Sequence, residues 1–530
     1  MATQRRGSDR VDVVVVGAGA AGSVYADVLS RAGRKVVVLE AGPSKGPGDM
    51  VSSTLWSRRH KWSGAPVLSA GPDPLAHNVS TGSGLGGAAF HHYGTWPRFP
   101  EDAFELQSRH GRGLDWGIRY EDVRPWYDRV QADVGLSGDA DAEPWRGPGA
   151  PYPMKPLRTF RHGDLLANGF RDLGLPVAPM PVAINSTVYR GRAACLYDGW
   201  CDAGCPIGAL ANPLATYLGW AQQRGAEIRT DATVTSVLRD TRGRARGVAY
   251  VSHGERHELA ADVVVLAASC IQNPRILLCS GESRRPGGGA NPGIANSSGL
   301  VGRYLNSEAM GFAYGLFREP TEIWMGVSSG QYYSRSDIAP RDRSDLVGGS
   351  QWQIGPAAKP NDLFGVAITR PDLYGPALDR FIRSATHHLA YMVGFAGSLP
   401  LEDNRVELDG SAKDDNGIPL ARAVHRHAPE TLAIAKHLNE QGLSVMAAAG
   451  AESRWNGGMA GGHITGGTIM GSDPSRSVCD PLGRTHDVRN LFVAGAGLFP
   501  QTGGTSPTFT LTALAMRSAD YMASHWRDVA

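Results

Sequence analysis

The sequence predicts an α/β chain in which a doubly wound, mostly parallel sheet domain is split along the sequence and a second domain is built on an antiparallel sheet. Three observations predict it. Residues 11–43, VDVVVVGAGAAGSVYADVLSRAGRKVVVLEAGP, read as strand, glycine turn, helix and parallel strand. Residues 490–495 (NLFVAG) and the helical pattern at 506–521 return to that kind of unit at the other end of the chain. Between them, from about 301 to 451, the pattern changes to alternating strands and longer loops with interspersed Trp and Phe. A chain of 530 residues exceeds one hydrophobic core, so two domains are expected.

In the opening unit a β-branched run stops at Gly17 and a second one ends in an acid, Glu40. Gly17 allows the tight turn, Gly19 lets backbone approach a pyrophosphate, and Gly22 lets helix and strand pack closely. Phosphates would sit on the free N–H groups of Ala20 and Ala21 at the helix start. The carboxylate of Glu40, followed by Ala41, can accept hydrogen bonds from both ribose hydroxyls of an adenosine. It would repel a 2′-phosphate, which disfavours NADP.

Composition excludes several classes of partner. A formal net charge of +2 with 42% hydrophobic residues describes a soluble globular chain with no field for nucleic acid or an anionic membrane. The N-terminus, MATQRRGSDR, has no apolar signal region, and no segment offers eighteen uninterrupted apolar residues. The six cysteines are too few and too clustered for a disulfide framework, which fits a reducing cytoplasm.

The remaining elements follow in order. Residues 81–100 (TGSGLGGAAFHHYGTWPRFP) are rich in glycine, including Gly86 and Gly87, and suit close backbone contact with a flat cofactor. Residues 115–135 and 159–174 read as helices, and 182–190 as a strand. Residues 195–213 form a dense turn segment, 216–224 a helix, 227–251 two or three strands, 261–268 a buried strand, and 273–279 the start of a helix. A helix at 429–441, with a possible extension, closes the central region. The division expected is a cofactor domain over 1–150, 188–300 and 455–530, with a second domain over 151–187 and 301–454.

GAGAAG with Glu40, LGGAAFHHYGTW, AASCIQNPRILLCSG, NSSGLVGR, and HITGGTIMG followed by NLFVAGAGLFPQTGGTSPTFTLTALAMRSAD stand in an order that resembles the glucose-methanol-choline (GMC) family of FAD-dependent oxidoreductases. The resemblance covers nearly the whole chain and is strongest to the branch with gluconate-type dehydrogenases and pyranose oxidases. It implies a p-hydroxybenzoate-hydroxylase-like fold with a Rossmann-like FAD domain and a substrate domain. It also implies oxidation of an alcohol by hydride transfer to flavin N5, the substrate being a sugar, glycoside, polyol or amino-sugar intermediate. Oxygen or another acceptor would take the electrons. The alternative the family offers is a hydroxynitrile-type lyase that binds FAD without redox turnover.

Carried over residue by residue, the family's catalytic histidine falls on His463, a base that can take the hydroxyl proton near neutral pH. The second position, His or Asn in most relatives, falls on Ser506, which can share one hydrogen bond but cannot hold a proton. FAD contacts fall on Val234, Ala268, Gly495, Ala496, Pro507 and Thr508, beside the glycines already named. His91 matches a position of covalent FAD attachment in some pyranose oxidases, with His92 next to it; simple contact and non-covalent FAD are favoured. Cys195, Cys201 and Cys205 could hold an iron–sulfur cluster, but three thiols without a fourth ligand read better as free cysteines, so no metal is expected.

Overall fold

In the computed structural model, which describes residues 10–50, 53, 63–76, 81–281, 293–335, 346–359 and 362–530, β1 (Val11–Val16) is the centre of the first sheet. The opening residues 1–9 lie outside the described residues. β1 pairs in parallel with β2 (Val36–Leu39), which pairs with β5 (Glu227–Arg229). On its other side lies β8 (Glu255–Leu266). β8 changes character along its length. Its alternating first half joins an antiparallel meander with β7 (Ala245–Ser252) and β6 (Ala232–Arg239), while its apolar second half lies between β1 and β17 (Leu491–Val493). Both faces of that parallel core are covered, so β1 apart from the half-buried Asp12, β2 and the end of β8 are apolar.

The second sheet is antiparallel, in the order β15 (Ser453–Asn456), β9 (Asn306–Leu316), β12 (Leu389–Ala396), β11 (Ser350–Ile354), β10 (Tyr332–Ser334) and β4 (Ala178–Pro179). β16 (Ala460–Thr465) also pairs with β9, beyond β15. The strict two-residue period divides this sheet's side chains. Ala309, Ala313, Trp352, Ile354, Met392 and Ala396 face the helices Arg161–Asp172 and Pro429–Ala448 and form one apolar core. Emptying the Trp352 site by substitution with Ala would cost about 3–5 kcal/mol. Glu308, Met310, Phe312, Gln351, Gln353, Val393, Phe395 and Tyr333 share the opposite face by register. A third sheet pairs β3 (Val67–Ala70) with β14 (Pro419–Val424) and β13 (Arg405–Lys413).

The expected helices appear at Tyr120–Val134, Arg161–Asp172, Tyr217–Gln223, Ser269–Cys279 and Thr508–Ser524. Pro274 sits inside the Ser269–Cys279 helix, whose first turn therefore lies earlier than the pattern suggests. Residues 182–190 form no strand. Val182 bridges Thr95 and Ser137, Ile184 bridges Leu210, and Tyr189 turns back to Arg192, so each residue finds a different loop. The amphipathic helix Gly375–His388 and the third sheet have no counterpart in the sequence reading.

Candidate active site

The glycine turn is built as close packing demands. Gly17 has φ +100°, and a β-carbon there would come within 2.6 Å of the Ala267 carbonyl oxygen. At Gly22 it would lie 2.0 Å from the Gly17 oxygen. Gly19 differs: nothing stands within 4 Å of its open side. The helix Ala20–Arg31 starts there with no side-chain cap, and the first turn's N–H groups, those of Ala20, Ala21 and Gly22, are the ones no helical carbonyl reaches. Gly87 packs against Gly19, Gly86 N–H donates to the Ala18 oxygen at 3.1 Å, and Gly495 faces Ala21. An uncapped helix start walled by glycine backbone is what a pyrophosphate requires, so these residues fit a dinucleotide cofactor.

Glu40 is engaged more fully than its sequence position suggests. Its Oε2 accepts from Ala18 N–H at 2.9 Å, and its Oε1 from Gly42 at 3.0 Å and Gly84 at 2.8 Å. Three of roughly four lone-pair positions are taken, which leaves room for one ribose hydroxyl and not two. Burial raises the Glu40 carboxyl, and the three N–H groups and Lys45 oppose that rise. Ala41 is exposed, and Val234 follows Ala232, whose N–H donates to the Glu40 carbonyl. Ala268 caps the Ser269–Cys279 helix, its N–H held by Asn273 at 2.8 Å.

His463 lies where β16 slips register against β9, between Gly462 and Thr465. It takes φ +46°, a left-handed backbone unusual for a side-chain-bearing residue. Bulges of this kind re-aim a side chain. The ring stacks on Phe395 at 4.9 Å, and Nδ1 lies 2.5 Å from Oε2 of Glu308. Glu308 is fully buried while the His463 side chain keeps 26% exposure. Burial raises the Glu308 carboxyl, opposed first by the charge of His463 and also by Thr502 and Arg335. An ionised carboxylate can only accept, so in the neutral imidazole Nδ1 carries the proton and Nε2 keeps the lone pair.

Ser506 is brought to the same sheet face. Its buried hydroxyl accepts from Gln353 Nε2 at 3.4 Å, and neighbouring Thr505 donates to Gln351 at 2.5 Å. Gln351 stands opposite Phe395 in register, so Gln351 and Gln353 on β11, Phe395 on β12, Glu308 on β9 and His463 on β16 run across four successive strands, with Ser506 held to them through Gln353. Pro507 caps the following helix and Thr508 begins it. Ala496 O accepts from Gly466 N–H at 3.0 Å, which joins the His463 strand to the end of the parallel sheet. Glu308, Phe395, Gln351 and Gln353 escaped the sequence reading. The available signal was an acid in NSEAMGFAYGL and two amides in SQWQI, polar groups in strands otherwise fit for burial.

His91 is buried at the end of the short turn Gly87–His91. His92 is held by the fold: Nδ1 accepts from Gly94 N–H at 3.1 Å, Nε2 pairs with the Ala211 oxygen at 3.3 Å, and burial lowers its pKa to about 4. Cys195, Cys201 and Cys205 are unbridged. Each sulfur accepts a backbone N–H, from Tyr197, Ser328 and Leu210 respectively, and burial pushes all three thiols up.

Residues 11–306 and 400–515 match the N- and C-terminal parts of GMC oxidoreductase. The chain belongs to the GMC oxidoreductase family. It is similar to 2-methyl-1,2-propanediol dehydrogenase of Mycolicibacterium austroafricanum, 30% identical over 98% of this chain and 97% of that protein. The fructose dehydrogenase large subunit of Gluconobacter japonicus is also 30% identical, over 96% and 97%, and paromamine 6′-oxidase of Streptomyces fradiae 28%, over 98% and 92%. In fold the chain is similar to pyridoxine 4-oxidase from Mesorbium loti, with TM-score 0.69 and 16% identity over 97% of this chain and 99% of that one. A formate oxidase variant of Aspergillus oryzae gives TM-score 0.67 and 14% identity over 98% of this chain and 99% of that one. The chain is thus an oxidoreductase acting on CH–OH groups, and the family supports FAD as cofactor. The named relatives are dehydrogenases and oxidases, which speaks against the lyase alternative. No helix among the described residues is long and apolar enough to cross a membrane.

Proposed function

We propose that this protein oxidises an alcohol group of a polar small molecule, a sugar, glycoside, polyol or amino sugar, with His463 as the base that takes the hydroxyl proton. The observation that carries this reading is the His463–Glu308 pair at 2.5 Å, set on a bulge and stacked on Phe395. FAD, when bound, supplies the hydride acceptor. The chain's own residues do the rest. The buried carboxylate fixes the imidazole tautomer so that Nε2 faces the substrate as base, and Phe395 holds the ring plane. Ser506 offers one hydrogen bond to the substrate oxygen. Gln351 is fully buried, and its Nε2 has no hydrogen-bond partner among the described residues, so it is a donor waiting for an oxygen. A sheet face carrying two amides and a hydroxyl suits a substrate with several hydroxyls. The diol, the sugar and the aminoglycoside in the relatives' names are substrates of that kind.

In the same reading the pyrophosphate rests on the helix start at Ala20–Gly22, and Glu40 takes one ribose hydroxyl. Gly86, Gly87, Val234, Ala268, Gly495, Ala496, Pro507 and Thr508 would hold the rest of the cofactor. FAD is held without a covalent bond, His91 serving as a contact, and oxygen or another acceptor reoxidises it. Six unbridged cysteines support a reducing, cytoplasmic setting. The test is anaerobic flavin bleaching against 2-methyl-1,2-propanediol, D-fructose and paromamine. Bleaching by a polyhydroxy compound is the expected result; bleaching by simple apolar alcohols alone would overturn the polar-substrate reading.

A further inference from the structure

Every oxidation of an alcohol to a carbonyl sets one hydroxyl proton free, and in the reading above His463 receives it. A cavity of about 20 Å³, room for a single water, is lined by Thr502 and Arg335, both of which act on the His463 partner, Glu308. It is lined by Thr502, Arg335 and Gly349 on the sheet side and by Asp102, Ala103 and His110 toward the surface. Oε1 of Glu308 is buried with no direct hydrogen-bond partner among the described residues, and the Thr502 hydroxyl interacts with this carboxylate at longer range. Thr502 Oγ1 already accepts from Ser398 N–H at 2.7 Å, so its own proton is free to point elsewhere. At the outer end Nε2 of His110 stands 3.6 Å from Asp102 Oδ2, both side chains about a third exposed. Arg335 is buried against the cavity, its Nη2 donating to the Gly503 oxygen at 3.0 Å.

We propose that this cavity is the proton exit of the active site, running from His463 through Glu308, Thr502 and one water to the Asp102–His110 pair. The inference rests on His463 being the base. In the step, the substrate O–H bond breaks and an N–H bond forms at Nε2, while the carbon's hydrogen leaves as hydride to the cofactor the family supplies. The proton on Nδ1 passes to Oε2 of Glu308, rotation of the protonated carboxyl carries it to the Oε1 position, and from there it passes to the Thr502 hydroxyl, which releases its own proton to the water, then to His110 and solvent. Each bond to hydrogen that forms is matched by one that breaks, and the balance is one proton released per carbonyl formed. The Arg335 cation disfavours a proton resting on Glu308 and equally on the water it lines, so the proton does not stay on either.

Ala103→Val tests the route, because Ala103 lines the cavity and its added methyls would displace the water without touching His463. The FAD-loaded protein is mixed anaerobically, in weak buffer with a pH-indicator dye, with whichever of 2-methyl-1,2-propanediol, D-fructose or paromamine bleaches it fastest. In the parent protein, proton appearance should track bleaching. In Ala103→Val, bleaching should keep its rate while proton appearance lags by about tenfold or more, the effect of about 1.4 kcal/mol on a barrier. His110→Gln should give a smaller lag that added imidazole abolishes. A crystal structure provides a check that needs no substrate: a water between Thr502 and His110 in the parent and none in Ala103→Val. Synchronous proton release in Ala103→Val, or a dry cavity in the parent, would overturn the proposal. A His463→Ala variant that bleaches normally would instead sink the base assignment beneath it.

Discussion

Glu308→Gln keeps the shape of the side chain that holds His463 and removes its charge. The parent bond joins Nδ1 to a fully buried carboxylate at 2.5 Å. Hydrogen bonds to charged groups contribute about 1.5–3 kcal/mol and neutral ones about 0.5–1.5, so an amide that still accepts from Nδ1 gives up about 1–1.5 kcal/mol. If that loss falls on the transition state, where the imidazole becomes cationic, flavin reduction slows about 5- to 13-fold. An amide turned the other way would donate to Nδ1 and put the proton on Nε2. The base would then be lost, and the rate would fall toward the 10²–10⁴ that general bases contribute. The assay is stopped-flow bleaching across substrate concentrations, with FAD content measured on the same sample. A fall in the limiting rate at unchanged half-saturation and full FAD content is expected. A limiting rate within twofold of the parent would refute the claim that Glu308 sets the state of His463.

Three further outcomes follow from neighbouring geometry. Ser506→Ala removes one neutral hydrogen bond worth about 0.5–1.5 kcal/mol, so bleaching should slow about 2- to 13-fold; no change would remove Ser506 from the site. Acid precipitation should release the flavin into the supernatant, and colour that stays in the pellet but is lost in His91→Ala would identify a covalent link instead. Glu143 is buried against Tyr333 at 2.5 Å, and burial raises its pKa from 4.5 to about 7. The folded state therefore holds this proton more tightly than the unfolded chain. That contribution is complete below pH 4.5 and is lost as pH rises to about 7, by about 3 kcal/mol. Denaturant midpoints at pH 5 and 8 should differ less in Glu143→Gln than in the parent, and an equal difference in both would show that the carboxyl is not the source.

The two ends of the chain were legible because a parallel core buried on both faces leaves apolar runs that only a few turn chemistries can connect. Gly17 and Gly22 each do separate steric work and Gly19 leaves an open side, so their spacing carries information no composition could. Residues 182–190 misled for the opposite reason: Val182 and Ile184 are buried against different loops, Thr187 and Val188 are exposed, and none of them joins a ladder. The Gly375–His388 helix follows a Gly-Pro start, a weak signal inside a region read as strands. At the site His463 was reachable from its motif, but its partner was not. Glu308 meets it only because β16 pairs with β9 across 155 positions and slips by a bulge, a register that no local pattern encodes. Phe395 and the two glutamines are likewise joined to the site through strand register alone.

The central claim is that His463 takes the proton of the alcohol, and single-turnover bleaching of His463→Ala under anaerobic conditions tests it most directly. The variant should bind FAD as the parent does, because its contacts lie on the substrate face of the antiparallel sheet and not at the glycine turn. Its bleaching rate should fall by roughly 10²–10⁴. A fully flavin-loaded His463→Ala protein that bleaches as fast as the parent would contradict the account.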